Sequence, residues 1–200
     1  MNNASILLTH ALLVTCWALF AVIHHVMANE PFKQWCNLFL GRHFKYYRLI
    51  YSIVAIITLA AVLVLQFSIK SPVLKLPLTL TLLLSIPLGF AGVWLMTVCL
   101  VKYFYGLSGV AVLAGKDAPS KLEVTGIHRF VRHPLYLGTL LLITSLFFVF
   151  PLLSNLICCV SIFSYVLIGI RSEERKLLNK FGHAYAVYKS HTPMIIPKLG

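Results

Sequence analysis

The residues with the most chemistry in this chain sit at two places. Arg132, His133 and Pro134 stand just before one apolar run, and Arg171, Glu173 and Glu174 stand just after the next. A proline suits the first turn of a helix, so Arg132 and His133 flank a helix N-terminus, where unpaired backbone N–H groups already place about half a positive charge. Cations there oppose the dipole, and an anion would relieve the conflict. If the second helix ends near Ile170, Glu173 and Glu174 face a negative dipole end and need cationic partners. Two readings meet both demands. Arg132 can pair with Glu173 or Glu174 and anchor a helical hairpin at the headgroups. Alternatively, the basic cluster and the acidic pair can share a zwitterionic ligand. S-adenosylmethionine has suitable groups for this: a carboxylate for the cations, an ammonium and a sulfonium for the glutamates, and an adenine for apolar and aromatic walls.

Other reactive types carry less. His24 and His25 are adjacent and so point to different faces, and no carboxylate or cysteine accompanies them at helical spacing, so no metal site is expected. They read as a hydrogen-bonded or interfacial pair, with His24 also a candidate lining of a substrate cavity. His10 reads as a satisfied polar residue between helices. The five cysteines show no CxxC spacing, and Cys158 and Cys159 read as packing residues. Tyr185 and Tyr188 either cover a ligand ring or sit as interfacial aromatics, the latter being favoured.

The elements that must hold these residues are membrane helices. Sixty per cent of the residues are hydrophobic, 11% are charged and mean hydropathy is +0.89, which excludes a soluble globular domain. Apolar runs at roughly 5–27, 49–67, 78–101, 135–153 and 156–170 predict about five spans in an all-α polytopic bundle, the last two forming a hairpin that turns near Pro151, Ser154 and Asn155. The first run follows a tail without Lys or Arg and is long enough to span, so it reads as a retained helix rather than a cleaved leader. Pro87, with Gly89 and Gly92 after it, reads as a tolerated kink with close helix approach. The Asp117-Ala118-Pro119-Ser120 cluster reads as a turn. The polar tail after Ile170 has apolar and aromatic residues at helical spacing and reads as an amphipathic helix. The chain is expected to form one membrane domain over 1–200, with residues 1–101 on the substrate side and 102–200 supplying a cofactor-binding loop, the hairpin and the terminal helix.

The formal charge of +12 does not point to nucleic acid, because the cations fall between apolar runs rather than along an aromatic-lined groove. All Lys and Arg except Lys70 and Lys75 lie in the first and third inter-span segments or in the tail, which predicts that those segments and the C-terminus are cytoplasmic. There they also meet anionic lipid headgroups.

Gly126, Arg132-His133-Pro134, Tyr136, then Glu173-Glu174, Leu177, Phe181-Gly182, Tyr185 and Tyr188 form a spaced pattern across 122–197. It resembles the isoprenylcysteine carboxyl methyltransferase superfamily of membrane methyltransferases. Within it, the IRSEERKL run and the closing PMIIP are most similar to the bacterial methanethiol S-methyltransferase type, and LFAVIHHVMANEPFKQW resembles both that type and the NnrU family. The resemblance implies that His133, Pro134, Leu135 and Tyr136 line an S-adenosylmethionine pocket with Arg132 and Glu173 beside it. Val124, Gly126 and His128 lie on the preceding loop and Glu174 opposite. Arg171 becomes the candidate for orienting the nucleophile, with Glu174 its catalytic companion and His24 a substrate contact. His128 stands where the superfamily more often has Tyr. Arg171 lies nearer the glutamates than in the isoprenylcysteine enzymes, which weighs against a prenylated carboxylate.

Methyl transfer from a sulfonium needs alignment and exclusion of water rather than a metal or a covalent nucleophile. A thiol acceptor must ionise, and a nearby cation such as Arg171 favours the thiolate. The expectation is therefore an S-adenosylmethionine-dependent methyltransferase, housed in a bacterial inner membrane with its cofactor site facing the cytoplasm. It would act on a small or lipophilic acceptor, a thiol ahead of a carboxylate or phospholipid amine. The rival is a non-enzymatic accessory or sensor protein of the NnrU kind that keeps the fold.

Overall fold

A computed structural model of the chain describes residues 3–108, 110 and 122–197, so the expected turn at Asp117 to Ser120 lies outside the described residues. Among the described residues, seven α-helices run in the order α1 (Asn3–Ala28), α2 (Glu30–Leu40), α3 (Tyr47–Ser68), α4 (Leu78–Ser108), α5 (Pro134–Val149), α6 (Leu153–Phe181) and α7 (His183–His191). Four stretches of the described residues are long and apolar enough to cross a membrane: α1, the α2–α3 stretch, Leu78–Tyr103 of α4, and α6. The fifth, α5, has 16 residues, which at ~1.5 Å per residue falls short of a ~30 Å hydrocarbon core. The molecule is an all-α polytopic membrane bundle.

The described residues gather into two compact units. The first holds residues 3–74, 103–108, 110 and 152–161. Its helices α1 and α3 run antiparallel, stitched by polar groups that a bilayer cannot hydrate. The Trp17 indole donates to Gln66 at 3.0 Å, and Gln66 donates to Asn155 at 3.0 Å. His10 meets the Ser71 hydroxyl at 3.0 Å and the Ile6 carbonyl at 2.7 Å, and Ser71 accepts from the backbone of Ser154 at 2.8 Å. Buried polar groups in an apolar medium must be paired, and these are.

The segment between the first two spans is itself helical. Asn29 caps α2 by accepting from the Glu30 backbone, Pro31 sits in the first turn, and Lys33 bridges Glu30 at 2.9 Å. Phe32, Trp35 and Phe39 stack along one face, with ring centroids 5.6 and 4.6 Å apart. None of its residues is buried. An amphipathic helix between two spans, with its apolar face uncovered, has the form of an interfacial helix.

The second unit holds residues 75–102, 122–151 and 162–197. Here α4 and α5 approach closely because small residues face each other. A Cβ added at Gly92 would lie 2.8 Å from the Leu142 backbone nitrogen, and one at Gly138 would lie 3.1 Å from that of Met96. Nearby, Ser145 donates to the Ser85 carbonyl at 2.8 Å, in the turn that leads into Pro87. Helices α5 and α6 share a core of Leu140, Val166 and Ile170, with Tyr136, Met194 and Ile195 packed on it.

Two expectations are corrected by the C-terminal region. Helix α6 does not end near Ile170. Arg, Glu, Lys and Leu are strong helix formers, and they carry it through to Phe181. Gly182, at φ +51°, then turns the chain into α7, so the tail is two helical pieces rather than one amphipathic helix. Glu173 and Glu174 thus lie inside a continuous helix, away from a negative dipole end.

Candidate active site

The site is built within the second unit. His133 caps α5 and Pro134 opens it, both buried. The C-terminal strap runs alongside: the backbone N–H of Arg132 donates to Pro193 at 2.9 Å and that of His133 to Met194 at 3.1 Å. These bonds fix the direction in which both side chains leave the turn.

They converge on Glu174. Arg132 reaches its Oε1 through Nε at 2.8 Å and Nη2 at 2.6 Å, while Nη1 donates to the carbonyls of Lys189, at 3.1 Å, and Thr192. The Arg132 and Glu174 side chains are only 8% and 9% exposed. His133 Nε2 lies 3.2 Å from the same Oε1, and its Nδ1 lies 3.9 Å from Oε2 of Glu173, which is half-exposed. Oε2 of Glu174 is met by the Lys189 ammonium at 2.8 Å. An anion for the basic turn is thus present in the chain itself, as the Glu174 carboxylate paired with Arg132.

Tyr185 lies fully buried, with no hydrogen-bond partner for its hydroxyl among the described residues. Burial, then the Glu174 carboxylate, pushes its pKa up. The favoured interfacial placement fails for this residue, because α7 turns that face inward. Tyr188 instead donates to the His128 carbonyl at 2.7 Å and holds the preceding loop.

That loop is shaped by Gly126, which adopts φ +60° where a side chain would be strained. Glu123 accepts from the Thr125 hydroxyl and backbone and bridges Lys102 at 3.3 Å, and the Thr125 hydrogen bonds hold its carboxyl below the usual range. Burial holds His128 below its ordinary pKa, while Nδ1 meets the Arg132 carbonyl at 3.2 Å. Val124 is exposed. Leu135 and Tyr136 are half-buried, the Tyr136 ring 5.7 Å from that of His133. An apolar cavity of about 770 Å³ opens beside the turn, walled by Trp94 and Val98 of α4, Phe130 and Val131, and Leu137 and Leu141 of α5.

A known family model, described as NnrU protein, matches residues 12–197. The chain belongs to the NnrU family. Among its curated relatives, methanethiol S-methyltransferase 1 of Bradyrhizobium diazoefficiens is 30% identical over 90% of this chain and 64% of its own length. Methanethiol S-methyltransferase of Pseudomonas sp. strain GM41(2012) is 30% identical over 96% and 73%, and that of Mycobacterium tuberculosis is 28% identical over 89% and 74%. The chain thus spans less than two thirds of the length of the Bradyrhizobium protein. No solved structure matches it.

Of the residues singled out from sequence, Arg132, His133, Glu173 and Glu174 come together, and Pro134, Leu135 and Tyr136 follow in the first turn of α5. Arg171 is exposed on α6, and none of the contacts that tie down Glu174 includes it. His24 belongs to the first unit, where its ring meets the Tyr51 hydroxyl at 2.8 Å and packs on Phe20. Sequence reasoning passed over Lys189 and the 192–194 strap. Lys189 lies four residues after Tyr185, hence on the same face of a helix, and that spacing was the available signal.

Proposed function

We propose that this NnrU-family chain is a membrane methyltransferase that moves the methyl group of S-adenosylmethionine to a thiol. The observation that carries the reading is the convergence of Arg132, His133 and Glu174, from separate parts of the sequence, in a chain related along most of its length to proteins named methanethiol S-methyltransferase.

The residues present fit such a donor. Glu174 offers a carboxylate to an ammonium, the turn at Arg132 and His133 offers N–H donors and a helix N-terminus to a carboxylate, and the Tyr185 hydroxyl is a buried polar atom without a hydrogen-bond partner among the described residues. The apolar cavity beside them takes uncharged groups. When bound, S-adenosylmethionine supplies a methyl carbon already activated by its sulfonium. The chain's own work is to bind, align and exclude water. Arg132 keeps Glu174 in place, and the strap bonds keep the turn rigid. Arg171, exposed past the apolar part of α6, favours the thiolate of an arriving acceptor, whose proton leaves to water. The positive-inside pattern supports a site that faces the cytoplasm, in this reading from a bacterial inner membrane, with lipophilic acceptors arriving through the bilayer.

The test is transfer of labelled methyl from S-adenosylmethionine to methanethiol and longer alkanethiols by the purified protein in lipid nanodiscs. Labelled thioether at a rate that falls at least tenfold in Arg171→Ala supports the reading. Label on no thiol, with the protein folded, removes it.

A further inference from the structure

The two oxygens of Glu174 are held with different permanence. Oε1 is gripped by Arg132 and His133, whose side chains are 8% and 4% exposed and whose backbones are fixed by the strap. Among the described residues, Oε2 is met at 2.8 Å by the Lys189 ammonium, whose side chain is 50% exposed. A lysine ammonium on a flexible four-carbon stem, half in water, is readily exchanged. It is also the same chemical group as the α-ammonium of an amino-acid ligand.

We propose that Lys189 is a specificity-determining residue of the donor site: its ammonium occupies the cation seat at Glu174 Oε2, and a ligand's α-ammonium must displace it to bind. The inference rests on the reading of Glu174 as the donor's ammonium partner. Two full ammonium charges on one carboxylate oxygen repel each other, and the more loosely held of the two, the lysine, gives way. Lys189 leaves at little cost because its stem already reaches solvent, and it returns when the ligand departs. The lysine therefore lowers affinity for adenosyl ligands that carry an amino-acid tail and leaves tail-less ones untouched. Because S-adenosylhomocysteine, the product, keeps that tail, the same competition speeds its release.

The experiment is calorimetric titration of the full chain in detergent with S-adenosylhomocysteine and with 5′-methylthioadenosine, which keeps the adenosine and the thioether and lacks the amino-acid tail. Wild type, Lys189→Gln, Lys189→Met and Lys189→Arg are compared, with thermal unfolding recorded for each, and Lys189→Met serves if Lys189→Gln fails to fold. The expected result is about 2- to 5-fold tighter S-adenosylhomocysteine binding without the lysine charge, the range that an exposed ion pair supplies. Lys189→Arg stays near wild type and methylthioadenosine is unchanged. Weaker binding in the uncharged variants would show that Lys189 holds the ligand instead, and equal tightening of both ligands would remove the link to the ammonium; either overturns the proposal. A folded wild type that does not bind S-adenosylhomocysteine brings down the underlying reading, whereas binding that Lys189→Gln and Lys189→Met leave unchanged brings down this inference alone.

Discussion

Glu174 is a carboxylate with little access to water and three cationic or imidazole partners within 3.2 Å. Such an arrangement is costly to break from one side. In Glu174→Gln, Arg132 stays buried beside a neutral amide, and loss of a buried partner costs about 3–5 kcal/mol. Thermal unfolding in detergent should show Glu174→Gln far less stable than wild type, with Glu173→Gln, at a half-exposed position, within about 0.5 kcal/mol. Equal effects would contradict the geometry. Tyr185 gives the opposite case. Its hydroxyl is desolvated and makes no hydrogen bond among the described residues, so Tyr185→Phe removes a penalty and should melt at or slightly above the wild-type temperature. A clear drop would mean that the phenol has a partner.

At the scale of elements, the contact of α4 with α5 depends on glycine. Leu142 backbone atoms stand where a Gly92 side chain would go, so Gly92→Val forces the helices apart and should destabilise by about 1–3 kcal/mol in the same melts. Gly169, with open space around its Cβ position, is the control and tolerates Ala. Helix α6 shows what the sequence reveals and what it hides. Its apolar half was legible from composition, but its end was not, because RSEERKLLNKF reads equally as a polar tail and as a helix continued past the membrane. Only the turn at Gly182 decides between them. Helix α2 was overlooked for a related reason. Its cap and its Phe32, Trp35, Phe39 spacing were present, but a cation count over the segment treats it as a loop. Within the site, a pairing of Arg132 with Glu173 or Glu174 followed from charge and topology, and the geometry selects Glu174. The Lys189 contact and the burial of Tyr185 did not, since both depend on how α7 folds back after Gly182.

For the whole molecule, the distribution of cations makes a claim about sidedness. Fluorescent protein fused after Gly200 should glow in a bacterial host, and alkaline phosphatase inserted between Lys70 and Lys75 should be active, because the first reports cytoplasm and the second periplasm. The reverse pattern would place the site on the outer side and deny it cytosolic donors. The bundle itself was readable because long apolar runs leave few alternatives to helices in a bilayer. The proposed activity rests, in the sequence, on the spaced pattern around Arg132 and Glu174. The most direct measurement is calorimetric titration of the purified protein with S-adenosylhomocysteine, beside His133→Ala and, below its melting temperature, Glu174→Gln. The account predicts micromolar binding by wild type that both substitutions abolish. A folded wild type that binds nothing would contradict it, and the convergence on Glu174 would then be an anchor for the hairpin alone.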